Sequence, residues 1–189
     1  ELFGVSPEAV TPELRRRAKA INFGIIYGMG PYGLSGELGI PVEEAASYIE
    51  DYFSHYSSVK AFIDRTVLEA KERGYTVTIF GRIRYIPEFK SASESSVRFG
   101  ERIAVNTPLQ GSAADIIKAA MIDIHSRLKK EGLRTRMILQ IHDELIFEVD
   151  EKEGAIVTEI VKAGMEGAVN LSVPLKVNIK CGPDWGSIE

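Results

Sequence analysis

Along the first part of the chain the apolar residues recur every three or four positions, the spacing of helices that bury one face. The pattern predicts a helix over residues 11–30. Thr11 can cap its free N–H groups, Pro12 fits the first helical position, and Gly28, Gly30 and Pro31 end the run. A short helix follows over 34–38. Pro41 opens another through about residue 54, with Val42, Ala45, Ala46, Ile49 and Phe53 on its apolar side. A further helix over 59–72 carries Phe62, Ile63, Val67, Leu68 and Ala70 and stops at Gly74.

The pattern then changes. Residues 75–80 and 84–86 read as a small hairpin around Gly81-Arg82, closed by Pro87. Residues 88–97 are Ser-rich and weakly patterned, which predicts a loop and a domain boundary. A long helical stretch over 97–130 is expected to bend near Pro108 and Gly111. Two apolar strands, 137–141 and 145–149, flank His142-Asp143-Glu144, so the three polar residues fall at a hairpin tip between strands expected to be buried. A helix over 151–168 and a strand over 175–181 complete the chain. Helices first and strands mixed with helices later make an α+β fold.

Composition adds little to this. At 189 residues with 44% hydrophobic and 26% charged residues, the chain can form a real core. A single cysteine, Cys181, excludes an intrachain disulfide and a cysteine metal cluster. No stretch has the length and apolarity of a membrane span, and the N-terminus lacks a signal-peptide pattern, so no membrane partner and a cytoplasmic location are expected. Glu1-Leu2-Phe3-Gly4 reads like the end of an earlier element, as in a piece of a longer polypeptide. Charge is more informative by region than in total. The net charge is −4, but residues 80–136 carry eleven Lys/Arg against six Asp/Glu, and residues 137–189 carry four against ten. A basic stretch followed by an acidic one suits a phosphate backbone in one place and metal ions in another, or simply two unevenly solvated surfaces.

Three clusters carry candidate chemistry. In the opening helix, Arg15, Lys19, Phe23 and Tyr27 recur every four residues. At about 3.6 residues per turn they make a slowly spiralling stripe, cationic then aromatic. That order fits phosphates at one end and a flat base at the other; it also fits basic residues facing water and aromatic residues filling a core. Gly28-Met29-Gly30-Pro31-Tyr32-Gly33 has the spacing of a dinucleotide fingerprint, but it trails a helix instead of following a strand, so a compact turn is the better reading. The second cluster is His142-Asp143-Glu144. A solvated turn is one reading; a carboxylate held at the end of a strand pair is also a suitable hard-metal ligand. In the third cluster, Arg102, Asn106 and Gln110 again follow a four-residue spacing, and Asp115 closes it. Arg can contact phosphate, while Asn and Gln can bond base edges or sugars.

In that order the clusters are similar to the motifs of bacterial family A DNA polymerases. The likeness rests on Arg15-Arg16-x-x-Lys19-x-x-Asn22-Phe23-Gly24-x-x-Tyr27-Gly28, on Glu101-Arg102-x-Ala104-x-Asn106-x-Pro108-x-Gln110-Gly111-x-Ala113-Ala114-Asp115, and on Gln140-x-His142-Asp143-Glu144, with Phe80-Gly81-Arg82-x-Arg84 between them. It covers essentially the whole chain.

The resemblance implies a right-hand architecture, with residues 1–92 in the fingers and 93–189 in the C-terminal part of the palm. It implies template-directed DNA synthesis in replication and repair, with two Mg²⁺ ions, primer–template DNA and deoxynucleoside triphosphates as partners, in a monomer of the bacterial cytoplasm associated with the nucleoid. Arg15 and Lys19 would grip the triphosphate, and Phe23 would pack on its sugar and base. A Phe there goes, in this family, with poor use of terminators lacking a 3′-hydroxyl. Tyr27 would hold the templating position. Asp143 would bind metal, with Glu144 in a lesser role. His142 would lie near the primer terminus, and Arg102, Asn106 and Gln110 would touch the duplex.

Departures are mostly absences. The family's other metal-binding aspartate, the thumb and any exonuclease domain are not in these residues, so the isolated chain is expected to be inactive. Ile83 stands where many relatives carry a basic residue. Two other functions remain in view: a nucleic-acid or nucleotide-binding fragment without catalysis, and a metal-dependent phosphohydrolase built on His142-Asp143. The second would need more metal-binding histidines than His55 and His125 supply.

Overall fold

A computed structural model describes residues 5–188; the opening residues Glu1–Gly4, read above as the end of an earlier element, lie outside the described set. The chain divides into two compact units. One contains the residues up to Val77 together with Gly81–Pro108; the other contains Thr78–Phe80 and the residues from Leu109 onward.

The first unit is helical. Helices α1 (Pro12–Ile26), α2 (Pro31–Leu38), α3 (Val42–His55) and α4 (Ser57–Arg73) follow one another closely. Ile21 and Ile25 of α1, Leu34 of α2, and Ala45 and Tyr52 of α3 form one core. Leu68, assigned to the apolar side of α4 by its spacing, is exposed instead. Strands β1 (Tyr75–Val77) and β2 (Ile83–Tyr85) pair antiparallel, with Tyr75 opposite Tyr85. They are shorter than the sequence suggests, because Thr78, Ile79 and Phe80 leave the ladder.

The stretch 88–97, expected to be a loop, is largely ordered. A 3₁₀ turn covers Pro87–Lys90, and α5 (Glu94–Asn106) begins within the Ser-rich run. Ser and Glu tolerate a helix start, and Arg98 reaches back to Glu94 at 2.6 Å, a pairing that favours the first turn. Ala70, Ile86, Ile103 and Ala104, with Phe89 against them, make a second small core. The expected bend at Pro108 and Gly111 takes a specific form: a π-helical turn over Thr107–Gly111 precedes α6 (Ser112–Lys130). Pro108 has no N–H to give the α-helical ladder, and a wider turn accommodates the gap.

In the second unit α6 packs along α7 (Gly154–Glu166) through Ala120, Ile124, Leu128, Val157 and Val161. Gly164 permits the close crossing, since a Cβ there would stand 2.6 Å from Ile124 Cγ1. Strands β3 (Arg136–Ile141) and β4 (Glu144–Glu148) form an antiparallel hairpin with a bulge between Met137 and Leu139. The hairpin lays Met137, Leu145 and Phe147 on the helices.

Two sequence expectations fail in this unit. The hairpin strands are not buried on both faces, for Ile138 and Leu139 are exposed. A two-stranded ribbon has one face for the helices and no second layer for the other. Residues 175–181 form no strand, because no neighbouring strand among the described residues takes up their backbone groups.

One side chain ties the loop before β3 to the start of α7. The Glu153 carboxylate accepts from the backbone N–H of Arg134 at 2.8 Å, and from the N–H and hydroxyl of Thr135 at 2.9 and 2.7 Å. The Arg134 N–H, then the Thr135 hydroxyl, hold the Glu153 carboxyl below the usual carboxylate range. A lowered folded-state value stabilises the fold above the unfolded-chain value, roughly 4.3, and the contribution fades as pH falls through the folded-state value. Thermal melts are therefore expected to show a smaller loss of melting temperature on acidification below pH ~4.3 for Glu153→Gln than for the unmodified chain.

Candidate functional site

The orientation of α1 follows from its sequence. Thr11 accepts from the Leu14 N–H at 3.2 Å and Pro12 occupies the first turn, which fixes where the helix starts. Ile21 and Ile25 are buried, so Arg15, Lys19 and Phe23 point to solvent on another face. Tyr27 caps the helix C-terminus and is half-buried.

The basic residues of α1 divide into two groups. Arg16 is paired with Glu13 through two contacts, at 2.8 and 3.0 Å, and Arg17 donates to the Leu38 carbonyl at 3.3 Å. Arg15 and Lys19 have no hydrogen-bond or ion-pair partner among the described residues. At the other end of the stripe the Phe23 and Tyr27 rings stack, with centroids 6.3 Å apart and planes 14° from parallel. Phe23 is 52% exposed, so its ring does not complete a core. Two free cations followed by two stacked rings can hold a charged group and a flat one along a single helix face.

The third cluster lies on α5 and the π-helical turn. Arg102 is exposed and without an ion pair or hydrogen bond among the described residues. Its Cγ would be 3.2 Å from a Cβ placed on Gly28, and its guanidinium carbon is 5.7 Å from the Phe99 ring centroid. The structure thus brings Arg102 to the end of α1, a proximity that no sequence spacing announces. Phe99 is absent from the sequence expectation, although its three-residue offset from Arg102 on a helix was a usable signal. Asn106 Oδ1 is buried with no hydrogen-bond partner, a state that costs energy unless a ligand or water supplies a donor. Gln110 is exposed within the π-helical turn, and Asp115 follows in the first turn of α6.

In the second unit, β3 and β4 are joined by two residues only, His142 and Asp143, because Glu144 already pairs with Ile141. His142 adopts φ +51°, the left-handed region that non-glycine residues avoid at a cost of roughly 1 kcal/mol or more. Gln140 Nε2 donates to the His142 carbonyl at 2.6 Å and braces the turn. Asp143 and Glu144 are adjacent and exposed. They offer hard oxygen donors, the type suited to Mg²⁺, and the described residues hold no group of three His, Cys, Asp or Glu that could surround an ion. No described helix is long and apolar enough to cross a membrane.

Over residues 1–187 the sequence matches the model of DNA polymerase family A. It is 49% identical over 185 residues to DNA polymerase I of Caldicellulosiruptor bescii, covering 98% of this chain and 22% of that protein. Identity to DNA polymerase I of Bacillus subtilis strain 168 is likewise 49%, over 98% of this chain and 21% of that one. The thermostable DNA polymerase I of Thermus aquaticus is 46% identical over 188 residues, covering 100% of this chain and 22% of its own length. The chain spans about a fifth of the curated relatives it matches. Among solved structures, it is similar to the POL domain of Pol1 from M. smegmatis in complex with DNA primer-template and dNTP. That match has a TM-score of 0.89 and 46% identity, and covers 93% of this chain and 31% of that one.

The split between paired and free cations on α1 yields a direct expectation. Lys19→Ala and Arg15→Ala should each weaken binding of inorganic pyrophosphate by roughly tenfold, the scale of one charge-assisted hydrogen bond. Arg16→Ala, which removes a cation already paired with Glu13, should leave it within about twofold. Isothermal titration of the three variants measures the difference.

Proposed function

The chain belongs to DNA polymerase family A, and from that premise we propose that it supplies the nucleotide-gripping helix and one metal-binding arm for template-directed DNA synthesis. The observation that carries this reading is the α1 stripe, in which free Arg15 and Lys19 precede the stacked Phe23 and Tyr27. In functional terms residues 1–92 act as fingers and residues 93–189 as the C-terminal part of the palm. The partners are primer–template DNA and deoxynucleoside triphosphates, and the setting is replication and repair in the bacterial cytoplasm.

The roles follow from charge and shape. Arg15 and Lys19 hold the triphosphate, and they offset the negative charge that grows on the departing pyrophosphate as the primer 3′-oxygen attacks the α-phosphate. Phe23 packs on the sugar and base, and Tyr27 occupies the templating position. Arg102 contacts the duplex backbone, while Asn106 and Gln110 contact sugars or base edges, which would give the orphaned Asn106 Oδ1 a partner. His142 lies toward the primer terminus.

The donor chemistry of the hairpin tip fits a hard divalent ion such as Mg²⁺, with Asp143 as ligand and Glu144 beside it. When bound, two such ions supply electrostatic stabilisation of the transferring phosphoryl group. What these residues contribute is a fixed presentation: the left-handed His142 and the Gln140 brace set the direction of the tip. Strain at such a position is tolerated where geometry matters more than local stability.

The 189 residues alone are expected to show no Mg²⁺-dependent primer extension, since Asp143 and Glu144 provide only part of a two-ion ligand set; measurable extension would overturn the division of the metal site. Within a complete polymerase containing this chain, Asp143→Ala should lower turnover by roughly a thousandfold or more, while duplex affinity stays within about threefold. Single-turnover extension and duplex binding by fluorescence anisotropy separate the two effects.

A further inference from the structure

Arg102 differs from the charged residues around it on α5. Arg98 is paired with Glu94, and Glu101 with Lys71, whereas Arg102 has no ion pair or hydrogen bond among the described residues. Ordering a long, solvated side chain carries an entropic cost, so a free arginine is normally a poor fixed contact. Two features restrict this one. Its Cγ and Cδ pass over Gly28, where an added Cβ would stand 3.2 and 3.6 Å from them. Gly28 also has φ +87°, a backbone conformation that further disfavours a side chain there. The guanidinium carbon lies over the Phe99 ring at 5.7 Å. Phe99 is 49% exposed, so packing into the interior does not account for the ring.

We propose that Gly28 and Phe99 are positioning residues for Arg102: the glycine leaves a channel for the stem, and the ring face steers the guanidinium toward a backbone phosphate of the DNA duplex. A guanidinium engaged through its planar face keeps its N–H edge for a phosphate, which a lysine ammonium cannot do. The contact with Gly28 also gives the end of α1 and the duplex-binding cation a shared boundary. The inference rests on the DNA-binding reading given above.

Salt dependence of duplex binding tests it. Each neutralised phosphate contributes about 0.9 to the steepness of log K against log salt. Binding of a fluorescent primer–template duplex to the 189-residue chain is measured over a range of salt concentrations. Arg102→Ala is expected to reduce the steepness by about 0.9. Phe99→Ala and Phe99→Leu should reduce it by a comparable amount although the arginine remains, Phe99→Tyr should keep it at the level of the unmodified chain, and the double variant Phe99→Ala/Arg102→Ala should match Arg102→Ala alone. A partly unfolded sample would lower the active concentration without changing the slope, so a merely structural role for Phe99 leaves the slope alone. The Phe99 variants carry the test because Gly28→Ala also strains the backbone. If Arg102→Ala lowers the slope and Phe99→Ala and Phe99→Leu do not, the positioning role is overturned while the DNA reading stands. If the unmodified chain binds no duplex, or Arg102→Ala leaves the slope unchanged, the DNA reading of Arg102 falls and the positioning role with it.

Discussion

Ile21 and Ile25 set the rotation of α1 about its axis, and most of the first unit's chemistry follows from that constraint. Both side chains are buried against Leu34, Ala45 and Tyr52, so the helix has one orientation that keeps them out of water. In that orientation Arg15, Lys19 and Phe23 face outward. The core side chains are not themselves ligand groups, yet they determine where those groups point. Thr11 and Pro12 fix the helix along its axis in the same way, by deciding which residue begins the first turn.

Several of the groups singled out as functional leave hydrogen-bonding capacity unused or hold a costly conformation. Among the described residues Arg15, Lys19 and Arg102 make no hydrogen bond or ion pair, Asn106 Oδ1 is buried and unpaired, and His142 occupies left-handed backbone. Elsewhere the same residue types are satisfied: Arg16 by Glu13, Arg17 by a carbonyl, Glu153 by three donors. Such groups are natural places for an external ligand to complete the hydrogen bonding.

Local signals were legible in the sequence. The cap at Thr11, the stop after α4, the break at Pro108 and the hairpin tip at His142-Asp143 all depend on a few adjacent residues and fall where expected, with shifts of a few positions. Features that depend on distant partners were not legible. The segment 175–181 has strand composition but no paired neighbour among the described residues. The continuous apolar runs of β3 and β4 could not reveal that one face has no cover. The Ser-rich run concealed the start of α5, whose helicity draws on Ile103 and Ala104 packing against Ala70 and Ile86. For the site, the residue types and their spacing were visible, but the approach of Arg102 to Gly28 belongs to tertiary structure alone.

The half-exposed ring of Phe23 has a consequence for how such a protein can change. Its partner is Tyr27 and it fills no part of the core, so exchanging it for another aromatic or polar side chain removes little packing. Under the proposed nucleotide-contacting role of Phe23, stability and ligand discrimination are therefore nearly decoupled at this position. Selectivity can drift there, one substitution at a time, while the scaffold that presents it remains intact.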